Sequence, residues 1–121
     1  FSDSVLYRLV SAGPTGNTKE AAKTSLGVLR LEYGYPPIPG DIDHPNSFPY
    51  SVVYRQVPGL TFELAQSGGL PDDVRAAFLN AIRDLEKLGV FGITGDCGFM
   101  ANYQRFVADS TTACPVFMSS L

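Results

Sequence analysis

The chain has no tryptophan, one histidine and two cysteines among its 121 residues. Two cysteines make no disulfide framework of the kind that stabilises small secreted domains, so we expect a reducing, cytoplasmic setting. Charged residues amount to 17% and the net charge is −3, which argues against the basic patch that nucleic acids and anionic membranes require. Apolar runs stay below the roughly 18 residues that span a bilayer. We therefore expect neither nucleic-acid nor membrane partners.

What the chain does have is enough apolar sequence for one folded domain over residues 1–121. Apolar residues make up 45% of it, and a chain of this length buries roughly two-thirds of its unfolded surface. Runs of alternating or continuous apolar residues predict strands, and three- to four-residue periodicity predicts helices. The predicted strands are 5–10, 28–33, 50–57, 90–94 and 115–118, and the predicted helices are 18–25, 61–66, 72–88 and 99–109.

The helix over residues 72–88 has the clearest pattern. Its apolar residues recur at three- and four-residue steps and form one broad stripe: Val74, Ala77, Phe78, Ala81, Ile82, Leu85 and Leu88. Pro71 and two aspartates suit its first turn, and Gly89 suits its end. Helices that alternate with strands predict an α/β fold with a mostly parallel sheet of about four strands and flanking helices.

Residues 34–49 contain five prolines and belong to neither a helix nor a strand. A connection of this length without secondary structure is usually functional in a compact domain. Asp41, Asp43 and His44 lie in it, but they have no partner at a metal-ligand spacing, so we interpret them as a solvated loop cluster and predict no metal site.

Cys97 lies at the junction between an apolar predicted strand and an amphipathic predicted helix. In open α/β folds this position faces the crevice at the carboxyl edge of the sheet, where ligands bind. The N–H groups and positive dipole end of the following helix favour the thiolate over the thiol. The pattern therefore predicts an activated cysteine, with a small buried hydrophobe as the plainer interpretation.

Three stretches resemble the aspartate/glutamate racemase superfamily, a cofactor-independent group that includes hydantoin racemases, maleate isomerases and arylmalonate decarboxylases. They are residues 27–33, the strand–Cys97–helix unit with Cys97-Gly98-Phe99, and residues 115–121. The resemblance covers residues 27–121, is strongest to a branch with a proline-rich loop like 36–49, and leaves 1–26 as an N-terminal extension.

The resemblance implies a pseudo-symmetric fold of two similar α/β halves, each of which offers one cysteine to the cleft between them. This chain would be the N-terminal half, with Cys97 as its catalytic acid/base, no cofactor, and a second half-domain or a homo-oligomer as partner. Cys114 precedes Pro115 at the start of a strand, the wrong edge of the sheet for the second cysteine. The isolated chain is then expected to be inactive as a racemase.

The implied chemistry is proton transfer at the carbon next to the carboxylate of an amino acid, or in a hydantoin-like ring. Donors to the substrate are expected at the helix start and at strand ends. The predicted substrate-binding residues are Thr94, Asp96, Gly98, Phe99, Ser119 and Ser120.

Asp96 departs from a plain amino-acid racemase, in which an uncharged small residue often precedes the cysteine. An anion beside Cys97 opposes thiolate formation and repels a carboxylate. A degenerate relative that only binds a small carboxylate therefore remains the alternative function.

Other motifs favour ordinary structure. His44 with Cys97 imitates a cysteine-hydrolase pair, but no orienting third group is present. The turn at residues 15–18 is similar to a flavodoxin phosphate loop, yet it lacks the long helix that such a loop precedes and the ending of a P-loop. We interpret that turn, and the pair Tyr33 and Tyr35, as structural.

Overall fold

The computed structural model describes residues 8–10, 25–34 and 36–118. In that part of the chain five strands form one sheet in the order β1-β3-β2-β4-β5. The strands are β1 (Arg8–Val10), β2 (Leu26–Arg30), β3 (Val52–Gln56), β4 (Gly92–Gly95) and β5 (Val116–Phe117). β2, β3, β4 and β5 pair in parallel, while β1 joins β3 in the antiparallel sense. The predicted α/β fold with a mostly parallel sheet is confirmed.

Within the described residues three α-helices lie between strands: α1 (Phe62–Ser67) and α2 (Asp72–Leu88) between β3 and β4, and α3 (Gln104–Ser110) between β4 and β5. Thr61 caps α1 by accepting a hydrogen bond from the N–H of Leu64, and Gly68 and Gly89 end α1 and α2 in the left-handed conformation that glycine adopts without strain. The bounds of α2 are those that its apolar periodicity predicts.

The helices cover one face of the sheet with the main core. The stripe of α2 is buried, and Phe78 packs against Tyr103 and Phe106 at ring-centroid distances of 5.1 and 5.6 Å. The strands contribute Leu29, Val53 and Ile93 to the same cluster. The alternation of side chains along each strand sends the neighbouring residues to the opposite face.

The opposite face carries a smaller apolar cluster made by Val28, Val52 and Tyr54. The proline-rich segment lies against it, because Phe48 packs on this cluster and the Tyr54 hydroxyl donates a hydrogen bond to the carbonyl of Ile42 at 2.8 Å. Residues 36–50 thus cover the sheet without a helix or strand of their own, apart from one 3-10 turn (Pro45–Ser47).

The single helix predicted for residues 99–109 is wrong in its first half. A 3-10 helix (Gly98–Tyr103) comes first, and the α-helical part begins at Gln104. Side chains pull this segment toward α1: the amide of Asn102 donates to the carbonyl of Ala65 at 2.9 Å, and the hydroxyl of Tyr103 donates to that of Gly69 at 2.8 Å. The dipole at Cys97 is therefore that of a short 3-10 helix and is smaller than predicted.

None of the helices in the described residues is long and apolar enough to cross a membrane. The predicted strand over 5–10 lies only partly within the described residues. The predicted helix over 18–25 and the turn at 15–18 lie outside them, apart from Ser25.

Candidate functional site

A pocket opens at the carboxyl ends of β2 and β4, where the order of the strands reverses. After β2 the chain adds β3 along one edge of β2, and it then returns to add β4 along the opposite edge of β2. Ligands in open α/β sheets bind outside such a switch point. The pocket has a volume of about 320 Å³ and is lined by Ile42, Thr94, Gly95, Asp96, Cys97, Gly98 and Phe117.

Four of the predicted site residues meet in this pocket: Thr94, Asp96, Cys97 and Gly98. Cys97 is half-buried and stands at the N-cap of the 3-10 helix. Phe99 instead turns its ring to Phe62, at a centroid distance of 5.3 Å, so only its backbone N–H remains a candidate donor. Ser119 and Ser120 lie outside the described residues. The roles assigned to all these residues stay predictions.

Asp96 does not extend from the strand end into solvent. Both of its carboxyl oxygens accept from the N–H of Leu31, at 3.1 and 3.2 Å, and its own N–H donates to the carbonyl of Leu29. It therefore continues the pairing of β4 with β2 beyond the last strand residue, directly before Cys97.

Asp96 also forms a carboxyl pair with Asp43 of the proline-rich segment. The two carboxyl groups lie within reach of a hydrogen bond, and burial, this contact and the charge of Asp43 raise the pKa of Asp96 to about 8. Two ionised carboxylates only accept hydrogen bonds, so this contact needs one proton between them. At neutral pH Asp96 is therefore mostly uncharged, which removes the anion that its sequence position suggests beside Cys97.

Asp43 is held in place by two further residues. Its Oδ1 atom accepts from Nε of Arg30 at 3.1 Å, and its Oδ2 atom accepts from the hydroxyl of Tyr33. Arg30 and Asp43 are both nearly inaccessible to solvent, with 3% and 6% of their side chains exposed. The guanidinium of Arg30 also lies 4.8 Å from the ring centre of Tyr33. The interpretation of Asp43 as a solvated loop residue is wrong, because it is buried and paired.

His44 makes its hydrogen bond within the proline-rich segment. Its Nδ1 atom accepts a hydrogen bond from the N–H of Asn46 at 3.1 Å, and its ring caps the 3-10 turn. It is not among the residues that line the pocket. Within the described part of the chain no group of three or more His, Cys, Asp or Glu residues is placed to bind a metal ion.

Cys114 is partly buried and packs against the main core. Burial raises the pKa of its thiol, and the nearby carboxylate of Glu86 raises it further. At neutral pH Cys114 is therefore a protonated thiol of low reactivity.

The sequence reasoning missed Ile42 and Phe117 as lining residues and Arg30, Tyr33 and Asp43 as the support of Asp96. Phe117 has a sequence signal, since it follows Val116 in a short strand and must face the other side of the sheet. The partners of Asp96 have none, because they come from a loop whose path no periodicity predicts.

The chain is similar to several dimethylsulfoniopropionate lyases. It is 64% identical over 97 residues to dimethylsulfoniopropionate lyase 6 of Emiliania huxleyi, a match that covers 80% of the chain and 25% of the lyase. It is 48% identical over 109 residues to the dimethylsulfoniopropionate lyase of Durusdinium sp. clade D, covering 89% of the chain and 36% of that lyase. A match over 89% of the chain necessarily includes the segment around Cys97.

The chain therefore spans about a quarter to a third of the length of the curated relatives that it matches. No family model and no solved structure matches it. Its homologues are dimethylsulfoniopropionate lyases, which belong to the aspartate/glutamate racemase superfamily. The superfamily of these relatives is the one that the predicted resemblance names. The relatives are lyases and not isomerases, so the racemase part of the prediction gains no support from them.

Proposed function

We propose that this chain supplies the Cys97 half of an active site that eliminates dimethyl sulfide from dimethylsulfoniopropionate. The observation that carries the proposal is the similarity to the lyases over a stretch that includes Cys97, Ile42 and the other pocket residues over 94–98. The substrate has a carboxylate at one end and a sulfonium group on the carbon β to it. The product of elimination is acrylate.

In the proposed step the Cys97 thiolate takes a proton from the carbon next to the carboxylate. The electron pair of that C–H bond forms the double bond to the β carbon, and the bond from the β carbon to sulfur breaks. Dimethyl sulfide leaves with the electron pair as a neutral molecule, so it needs no proton from an acid. One thiol suffices for this chemistry, whereas inversion in a racemase needs a base and an acid on opposite faces.

The pocket has groups suited to both ends of such a substrate. The N–H groups of Gly98 and Phe99 begin the 3-10 helix and have no partner within it, and with the hydroxyl of Thr94 they are candidate donors to the carboxylate and to the charge that develops on it. Phe117, whose side chain is 68% exposed, and Ile42 offer an aromatic and an aliphatic wall. An aromatic face attracts a cation such as the sulfonium group.

Neutral Asp96 resolves the conflict that its sequence position raises. An ionised carboxylate at the wall of the pocket repels the substrate carboxylate and disfavours the thiolate of Cys97. With a proton on Asp96, both penalties are small at neutral pH and grow as the pH rises through about 8. The proposal further assigns the missing wall of the site to a second α/β half of the same protein, as the resemblance implies.

The two cysteines provide a matched test in the full-length protein. We expect Cys97→Ser to lower the rate of dimethyl sulfide release by at least about a thousandfold, since a serine hydroxyl is a much weaker base than a thiolate, and Cys114→Ser to leave it within about twofold. Gas chromatography of the headspace measures dimethyl sulfide, and proton NMR measures acrylate.

The outcomes separate the candidate reactions. Release that depends on Cys114 and not on Cys97 would contradict the site. Deuterium exchange at the α carbon of amino acids or hydantoins in D₂O, without any dimethyl sulfide release, would instead favour the racemase chemistry that the resemblance first suggests.

A further inference from the structure

Asp43 links the proline-rich segment to the residue before Cys97. It pairs with Arg30 at 3.1 Å, accepts a hydrogen bond from the Tyr33 hydroxyl, and lies within reach of the Asp96 carboxyl, whose own oxygens accept from the N–H of Leu31. The next residue towards the N-terminus, Ile42, lines the pocket and is fixed to Tyr54 at 2.8 Å. The buried carboxylate of Asp43 thus lies next to a residue of the pocket wall and also influences the protonation state of Asp96.

From these contacts we propose that Asp43 is a positioning residue for the cysteine site, which acts through Asp96 by sharing one proton with it and thereby keeps the neighbour of Cys97 uncharged. The inference deepens the proposed function and rests on it for the identity of the reaction. Asp43 itself is not assigned any contact with the substrate.

The charged groups around Asp96 predict the direction of each substitution. Arg30 favours the ionised form of Asp96, while the Asp43 carboxylate opposes it. Asp43→Asn removes the opposing charge, so the pKa of Asp96 falls and a larger fraction of Asp96 is ionised at neutral pH, while burial continues to favour the uncharged form. Asp96→Asn instead fixes an uncharged side chain of the same shape, whose amide still donates to Asp43 and whose oxygen still accepts from Leu31.

The two substitutions therefore act on Cys97 in opposite directions. A carboxylate on the adjacent residue disfavours the thiolate, so Asp43→Asn should slow alkylation of Cys97 by iodoacetamide at pH 7 by roughly threefold to tenfold. Asp96→Asn should accelerate it above pH 8, where Asp96 of the wild type ionises. A purely structural role of the pair would move both variants in the same direction.

The measurement uses the full-length protein and peptide mapping after a short pulse of iodoacetamide between pH 6 and 9.5. Trypsin cuts after Lys87 and Arg105, so Cys97 and Cys114 lie in different peptides. Cys114 is then an internal reference in every sample. The rate of dimethyl sulfide release is followed over the same pH range, and the upper limit of kcat/KM should move to higher pH in Asp96→Asn.

Tyr33→Phe keeps the test decisive if Asp43→Asn does not fold. Loss of the hydroxyl that donates to Asp43 loosens the contact through which Asp43 raises the pKa of Asp96, so Asp96 carries more charge and alkylation of Cys97 slows, as in Asp43→Asn, by about twofold. Equal alkylation profiles in wild type, Tyr33→Phe and Asp96→Asn would overturn the inference. If the wild type releases no dimethyl sulfide, the proposed function fails, while the alkylation profiles still decide the role of Asp43.

Discussion

Two buried arginines lie on neighbouring central strands, and each pairs with an aspartate on a different face of the sheet. Arg55 of β3 points to the helix-covered face and binds Asp84 of α2 through Nε at 2.7 Å. Arg30 of β2 points to the loop-covered face and binds Asp43 at 3.1 Å. The side chain of Asp84 is 38% exposed, whereas that of Asp43 is 6% exposed. The first pair has water at its edge and the second does not.

This difference follows from what covers each face. Helix α2 buries a long apolar stripe, so the core on this face needs no polar group. The ion pair between Arg55 and Asp84 lies at the margin of that core. The proline-rich segment brings little apolar surface, and buried polar contacts tie it to the sheet instead. A buried network of this kind is costly to leave half-satisfied, which makes its geometry specific. The specific geometry lies on the side of the sheet where Asp96 leads into Cys97.

Removing each carboxylate tests the comparison and has the largest expected effect. Asp43→Ala removes the carboxylate that pairs with the buried Arg30, which costs about 3 kcal/mol of unfolding free energy, at the lower end of the usual range because Asp96 can ionise and partly replace it. Asp84→Ala should cost about 1 kcal/mol, since water reaches that pair. Urea denaturation at pH 7 measures both, and equal losses would remove the distinction between the faces.

The sequence predicts the helix-covered face well and the loop-covered face poorly. The stripe of α2 and the alternation in β3 and β4 are local patterns, so the helices, strands and sheet edge follow from them. The pair Asp43 and Asp96 joins residues far apart in the chain, and nothing local indicates that a loop aspartate is buried. The placement of Cys97 was predictable because it depends on the end of a strand, but the charge state of its neighbour depends on the path of the loop.

Gly95 and Gly98 flank Asp96 and Cys97 at the end of β4, and substitutions at these two glycines compare how closely each is packed. A Cβ atom on Gly95 would lie 2.6 Å from Cβ of Met100 and 3.0 Å from the carbonyl oxygen of Met118, while one on Gly98 meets nothing within 4 Å. Gly95→Ala should therefore cost about 2 kcal/mol through displacement of the core on the helix side. Gly98→Ala should change stability by less than about 0.5 kcal/mol or raise it slightly, because alanine restricts the unfolded chain. Thermal unfolding compares the two variants, and a similar loss in both would contradict close packing at Gly95.

Measured per pH unit, the smallest effect is a pH dependence of the stability that belongs to the loop-covered face alone. The pKa of Asp96 is raised from 3.8 to about 8 in the folded protein, so the folded state holds this proton more tightly than the unfolded chain. The resulting stability is complete below the unfolded pKa and is lost as the pH rises toward the folded value. Asp96→Asn cannot lose it, so its stability relative to wild type should increase between pH 5 and 8, by at most about 1.4 kcal/mol per pH unit. Asp84→Asn, on the helix-covered face, serves as the control and should show no such rise. Urea midpoints across this pH range measure the difference, and a flat difference for Asp96→Asn would mean that Asp96 is already ionised at pH 5 and that the pair with Asp43 holds no proton.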